Sequence, residues 1–295
     1  MHSASFYVDL LLSGITVGSL YALIAIGYTM VYGILRLINF AHGDIFMMAG
    51  FFMIYVSATM GMAAAIPVVL LLTVVLGVAI EKAAYKPLRS APRMSVMISA
   101  IGVSYLLQNL ATYITGGLAR PYPNIGFLKG TFVVGGMTIK TITVVTPVLT
   151  ILLVIALVLF INNTKIGMAM RAVSKDFDTA RLMGIKVNSI ISITFVIGSF
   201  LAGVGSILYF SNYGQVSPMI GAMPGLKAFV AAVFGGIGSI PGAVLGAYII
   251  GICESFIKAN DTIAIFSNAF TFALLIVVLL FKPNGMFGEK LSEKV

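Results

Sequence analysis

Residues 10–35 and 45–80 of this chain contain no charged side chain. Uncharged runs of this length have few ways to fold. About 20 mostly apolar residues suffice to cross a bilayer as a helix. In lipid each backbone N–H and C=O must be satisfied within the segment, which leaves the α-helix as the available form. The first run makes one spanning helix. The second is long enough for two, with Gly61 and Pro67 offering the turn of a tight hairpin. Further apolar runs at 94–115, 146–161 with a few flanking residues, 189–210 and 263–281 predict four more spans. The composition agrees: 60% of residues are hydrophobic, only 9% are charged, and mean hydropathy is +1.08. A soluble domain has about a quarter of its residues charged.

The net charge of +9 sits in a few loops and tails with no aromatic interleaving, which argues against nucleic-acid binding. It is instead a signal of orientation, because short basic loops face the cytoplasm. Lys82, Lys86, Arg89 and Arg93 form one cluster, opposed only by Glu81. Lys165, Arg171, Lys175, Arg181 and Lys186 form a second, against Asp176 and Asp178. Both fall on one side only with the span count above, and the tail with Lys282, Lys290 and Lys294 joins them. The N-terminus is then outside and the C-terminus inside. The opening lacks the basic region of a signal peptide, and the run at 10–35 is expected to stay as a spanning helix. Residues 116–140, a mix of Gly, Pro and β-branched types, read as an external loop with a small hairpin.

Within the polar interruption at 162–188, residues 174–183 read as a short amphipathic helix. Ser174 is its expected N-cap, Asp176 and Asp178 are early acids, and Gly184 follows its end. A structured helix there suggests docking to a cytoplasmic partner. The region 225–257 is different again: 228–234 is too short to cross, the run Gly235–Gly242 breaks any helix, and 243–257 is barely long enough. It predicts two half-length helices meeting at a Gly/Pro turn, the kind of interruption that marks a transport path. The expected fold is an all-α polytopic membrane protein, one domain over residues 1–295. It has about eight transmembrane elements, including a broken, re-entrant helix pair.

No catalytic constellation is legible. His2 and His42 lack metal-ligand spacing, and there is no phosphate loop or nucleophile elbow. The single Cys253 excludes an internal disulfide and reads as a small packed hydrophobe. Lys227 is expected to snorkel to an interface. Glu254 is expected to pair with Lys258 four residues on. Gly14/Gly18, Gly238/Gly242 and Gly242/Gly246 have small-xxx-small spacing for helix packing. Met47, Met48, Phe51, Phe52 and Met53 are expected to face lipid and neighbouring helices.

Several blocks in order, 18–33, the loop Asn39-Phe40-Ala41-His42-Gly43-Asp44, 98–102, 225–229 and 235–243, are similar to the LivH-type permease subunits of bacterial branched-chain amino acid ABC transporters. The resemblance spans nearly the full length. It implies a multi-pass protein of the bacterial inner membrane, paired with a second, related permease. It also implies two cytoplasmic ATPase subunits, which would hold the ATP and Mg²⁺, and a periplasmic substrate-binding protein, with no cofactor on this chain. Lys175, Asp176, Asp178, Ala180, Arg181 and Gly184 then belong to a coupling helix seated on an ATPase. Gly225, Lys227, Phe229, Gly235, Gly238 and Pro241 belong to a translocation path used by alternating access. Related urea and short-amide permeases share much of the 39–44 and 235–242 signatures, so urea, short amides or other amino acids are alternative cargoes. An ATP-independent carrier is the other rival, with Glu254 as its one intramembrane acid.

Overall fold

The computed structural model describes residues 4–89, 91–134, 137–282 and 284–287. Lys290, Lys294 and His2 lie outside them. Among the described residues, eight helices are long and apolar enough to cross a membrane. In chain order the helices are α1 (Ala4–Leu35), α2 (His42–Met60), α3 (Met62–Ile80), α4 (Arg93–Thr115) and α5 (Thr141–Asn163). There follow α6 (Lys165–Lys175), α7 (Phe177–Leu182), α8 (Val187–Tyr213), α9 (Ala222–Gly235), α10 (Ile240–Lys258) and α11 (Ser267–Phe281). The loop after α4 carries the predicted hairpin, β2 (Thr131–Val134) with β3 (Met137–Lys140). A two-residue strand in the same loop, β1 (Arg120–Pro121), pairs antiparallel with β4 (Gln215–Val216) just beyond α8.

The hairpin of α2 and α3 turns at Gly61, whose φ of 76° suits glycine. Pro67 lies inside α3 and takes no part in the turn. Glu81–Tyr85 extends α3 as a π-helical turn.

The middle of the bundle is α1, α2 and α8, joined by α9 and α10. Two-thirds of the most apolar window of α1 and of α8 is buried, against 11% for α11. Small residues make this close packing possible. A Cβ at Gly14 would lie 2.7 Å from the Ile252 Cα, and one at Gly18 would lie 2.8 Å from the Tyr248 Cα. At the far end of α1, Gly33 faces Gly238. Helices α1 and α10 therefore run antiparallel with their backbones in contact. Gly242 and Gly246 meet the carbonyls of Gly235 and Ala231, closing α10 onto α9 in the same way.

Three expectations are corrected here. The pair at 225–257 is unequal: α9 has 14 residues, but α10 has 19 and is a full-length span. The helix starts earlier than 243 because Ser239 caps it, accepting from the Gly242 N–H at 3.2 Å, and Pro241 fits its first turn. Met47, Met48, Phe51 and Met53 are buried in protein, since α2 is flanked by α3, α8 and α9. Cys253 is exposed on α10 and is not a packed core residue.

The turn between α9 and α10 also receives the end of the chain. The N–H groups of Met286 and Phe287 donate to the carbonyls of Phe234 and Gly235, at 3.0 and 2.9 Å. These bonds satisfy acceptors that the end of α9 would otherwise leave open.

Candidate translocation and coupling sites

After α1 the chain turns at Arg36, the one non-glycine residue with positive φ among those described, and folds back into the bundle. The motif at 39–44 is consequently interior. Asn39 is buried and accepts a hydrogen bond from the Tyr85 hydroxyl at 2.8 Å; Phe40 is half-buried. His42 fills the space left by Gly27, where a Cβ would fall 2.1 Å from its Nε2, and lies edge-on to Tyr28 at 5.0 Å. Asp44, in the first turn of α2, accepts from the Ser104 hydroxyl and from Gln108 Nε2 at 3.1 Å, which ties α2 to α4. Gly43 allows α9 to touch α2, since a Cβ there would sit 2.6 Å from the Gly221 carbonyl. Asn39 Nδ2 and His42 Nε2 are buried without a hydrogen-bond partner.

Beside this motif runs a narrow crevice lined by Tyr28 and Tyr32 of α1, Ile38, Phe229 and Ala232 of α9, and Ile237. It has no room for a water molecule. Of the six path residues expected from sequence, Phe229 lines it. Gly225 packs on Gly43 and Tyr28, and Gly235 lies on the Gly242 carbonyl. Gly238 has φ +101° with open space where a side chain would go. Pro241 is exposed at the start of α10.

Lys227 turns the other way. It is 5% exposed, and its Nζ lies 2.7 Å from Glu254 Oε1. The snorkelling expectation is therefore corrected. Lys258 reaches the same oxygen at 2.5 Å, as the i, i+4 spacing predicted, and the Tyr21 hydroxyl donates to Oε2 at 2.9 Å. One carboxylate thus links α1, α9 and α10. Burying it is tolerable because both oxygens are hydrogen-bonded and two cations face it.

At the end of the bundle where α1 finishes, the 162–188 loop is two helices rather than one. Thr164 caps α6 by accepting from the Gly167 N–H at 3.0 Å. The cap of α7 is Asp176, which accepts from the Thr179 N–H at 2.7 Å. Ser174, the expected cap, lies in the last turn of α6 and donates to the Arg171 carbonyl. Asp176 prevails because its extended backbone points the carboxylate at the N–H groups of the next helix. Gly184, at φ 80°, ends the segment as predicted, with the Ile185 N–H bonded to the Ala180 carbonyl. Ala180 is buried, and Arg181 lies 3.4 Å from Asp178 on the exposed side. Lys175 is exposed at the break between the helices. Leu182 and Met183 project at the tip, 87% and 78% exposed.

Sequence reasoning missed the latch beneath this loop. Glu81, fully buried, pairs with Arg89 and accepts from the Ser192 hydroxyl at 3.0 Å. Arg89 also donates to Asn188 at the start of α8. The latch places the basic segment after α3 beside the 162–188 loop, so the two clusters do share one end of the molecule. The available signal was Glu81, the lone acid in a basic cluster.

Eight span-length apolar helices among the described residues, with the shorter α9 packed between them, make up a multi-pass membrane protein. The profile of the family described as "Branched-chain amino acid transport system / permease component" matches residues 10–279. The chain belongs to that family. It is 43% identical to the high-affinity branched-chain amino acid transport system permease protein BraD of Pseudomonas aeruginosa, over 98% of both chains. It is 40% identical to LivH of Escherichia coli, again over 98% of both. A shorter similarity, 30% over 45% of this chain, links it to the autoinducer 2 import permease LsrC of Yersinia enterocolitica.

Proposed function

We propose that this chain is the transmembrane permease subunit of an ATP-driven, binding-protein-dependent importer of leucine, isoleucine and valine in the bacterial inner membrane. The observation that carries the cargo is the full-length similarity to BraD and LivH, both named for branched-chain amino acids. Similarity to the autoinducer permease covers under half the chain, which favours the amino-acid reading.

In this reading the basic end is cytoplasmic. The α6–α7 loop, with Lys175, Asp176, Asp178, Ala180, Arg181 and Gly184, is the coupling element on one of two ATPase subunits. The apolar tip of Leu182 and Met183, standing among charged neighbours, suits the centre of a docking patch. A second permease covers an outer face of the bundle, and a periplasmic binding protein docks at the opposite end. ATP and Mg²⁺ bind the ATPases and not this chain. The Tyr28–Phe229 crevice is the candidate path. Because it is too narrow for water, transport requires α1 and α9 to separate, as alternating access demands. An aliphatic zwitterion needs apolar walls plus helix-end dipoles, and the crevice supplies aromatic and aliphatic walls.

The test measures uptake of labelled leucine, isoleucine, valine and urea in cells with and without this gene, and identifies what co-purifies with the tagged chain. Gene-dependent leucine uptake together with two ATPases and a second permease supports the reading. Gene-dependent uptake of urea alone would replace the cargo. Recovery of an isolated, transport-active chain would replace the mechanism with an ATP-independent carrier.

A further inference from the structure

At the end of the bundle where α1 begins and α10 finishes, there is a cleft of about 500 Å³. That volume falls in the range of roughly 300–1,000 Å³ typical of small-molecule sites. Its charged lining is mixed: Lys258 and Glu254 from α10, Lys140 at the end of β3, and Asp9 from α1. Leu10, Leu12, Val17 and Ile139 give it aliphatic surface, beside the Tyr213 ring and several hydroxyl side chains.

The charges are not equivalent. Both oxygens of Glu254 are already engaged, one by Lys227 and Lys258 and the other by Tyr21. This buried carboxylate faces two ammonium groups, so its surroundings carry surplus positive charge. Lys258 is half-exposed to the cleft with three N–H donors, of which one meets Glu254. Lys140 and Asp9 are exposed. The cleft therefore offers cations for a carboxylate, one accessible acid for an ammonium group, and aliphatic side chains in the same lining.

A second relation concerns α1. Leu10 and Val17 line this cleft, Tyr21 bonds Glu254, and Tyr28 and Tyr32 line the inner crevice. Their spacing of seven, four, seven and four residues sets all five on one stripe, within about 60° at about 100° per residue. The cleft, the ion cluster and the crevice thus follow one face of one helix.

We propose that this cleft is a vestibule site for the aliphatic amino-acid zwitterion, with Lys258 and Lys140 taking the carboxylate and Asp9 the ammonium. The Tyr21–Glu254–Lys227 cluster is its floor and separates it from the Tyr28–Phe229 crevice. A simple anion such as phosphate would use the lysines but has no need of the aliphatic side chains or of Asp9. The inference rests on the importer reading and extends it to a place of binding on this chain.

The test uses the full transporter complex purified through this chain. Cys253→Ala removes the native thiol and Ser13→Cys, on the cleft wall, supplies a single new one. The rate of labelling by a charged, membrane-impermeant thiol reagent is followed with leucine, 4-methylpentanoate (no ammonium) or 3-methylbutylamine (no carboxylate). Leucine is expected to slow labelling several-fold while neither half-molecule does. In the same background Lys258→Gln is expected to abolish protection, and Lys258→Arg to retain it. Glu254 keeps its Lys227 partner in both, so a variant that fails to assemble is recognised by its chromatographic profile. In cells that import leucine, absence of protection overturns the vestibule and leaves the importer standing. Equal protection by 4-methylpentanoate overturns the zwitterion assignment. Absence of gene-dependent leucine uptake removes the importer reading, and the vestibule falls with it.

Discussion

Glu254 is the residue on which most depends, because three helices meet at one carboxylate. Removing one partner from a buried ion pair costs about 3–5 kcal/mol, largely from the charge left behind, whereas replacing the group together is far milder. Lys227→Met leaves Glu254 with Lys258 and Tyr21, so it is expected to lower the melting temperature of the detergent-solubilised protein by less than the loss of a sole partner would. Lys227→Met combined with Glu254→Gln should recover part of the loss, as a non-additive double-mutant cycle. Damage in the double variant equal to the sum of the two single variants would mean the pair contributes little. The sequence discloses half of this site. The spacing of Glu254 and Lys258 is a helical signal, but Lys227 lies 27 residues away and nothing local ties it to Glu254. Its long aliphatic stem reads equally well as snorkelling, and only the antiparallel packing of α9 on α10 decides between the two.

At the scale of elements, α7 and the latch under it carry the predictions. Replacing an apolar anchor at the centre of an interface typically costs at least about 2 kcal/mol, or roughly 30-fold in affinity. Leu182→Asp is expected to reduce co-purification of the ATPases to that degree without altering the melting temperature, since the side chain touches solvent and little else. Arg89→Ala acts from below: it leaves Glu81 buried with Ser192 as a weaker partner and releases Asn188. Hydrogen exchange should rise at the start of α8 and in the 164–187 segment while α1 and α10 stay protected. Unchanged exchange there would show that the latch does not hold the loop. The stop at Gly184 was legible in the sequence, but Asp176 was read as an early acid behind a Ser174 cap, and the division into two helices was not legible. Ser174 and Asp176 are both good caps, and the choice rests on which residue has extended backbone.

For the molecule as a whole, orientation is the property most directly open to measurement. In a Cys253→Ala background, a cysteine at Asp178 is expected to react with an impermeant maleimide only from the cytoplasmic face. A cysteine at Leu118, exposed after α4, should react only from outside. Reversed labelling would invert the topology and move the coupling loop away from any cytoplasmic ATPase. The opposed ends themselves follow from packing. The first turns of α1 lie against the last turns of α10, while residues 285–287 lie against the turn before α10.

The sequence alone determined that this chain is a bundle of membrane helices, because long uncharged runs admit only a spanning helix in lipid. It also determined where most spans begin and end, and the family, since the ordered blocks from 18 to 243 are specific in combination. Tertiary structure decided what lies between the helices. It took the 39–44 motif into the interior, buried Met47, Met48 and Met53 of α2, turned Lys227 to Glu254 while Phe229 lines the crevice, and aligned a cleft, an ion cluster and a crevice along α1. The physical reason is that bilayer insertion depends on local composition, which is written along the chain. Packing depends on which small residues let two backbones approach, and that relation links residues as distant as Gly14 and Ile252.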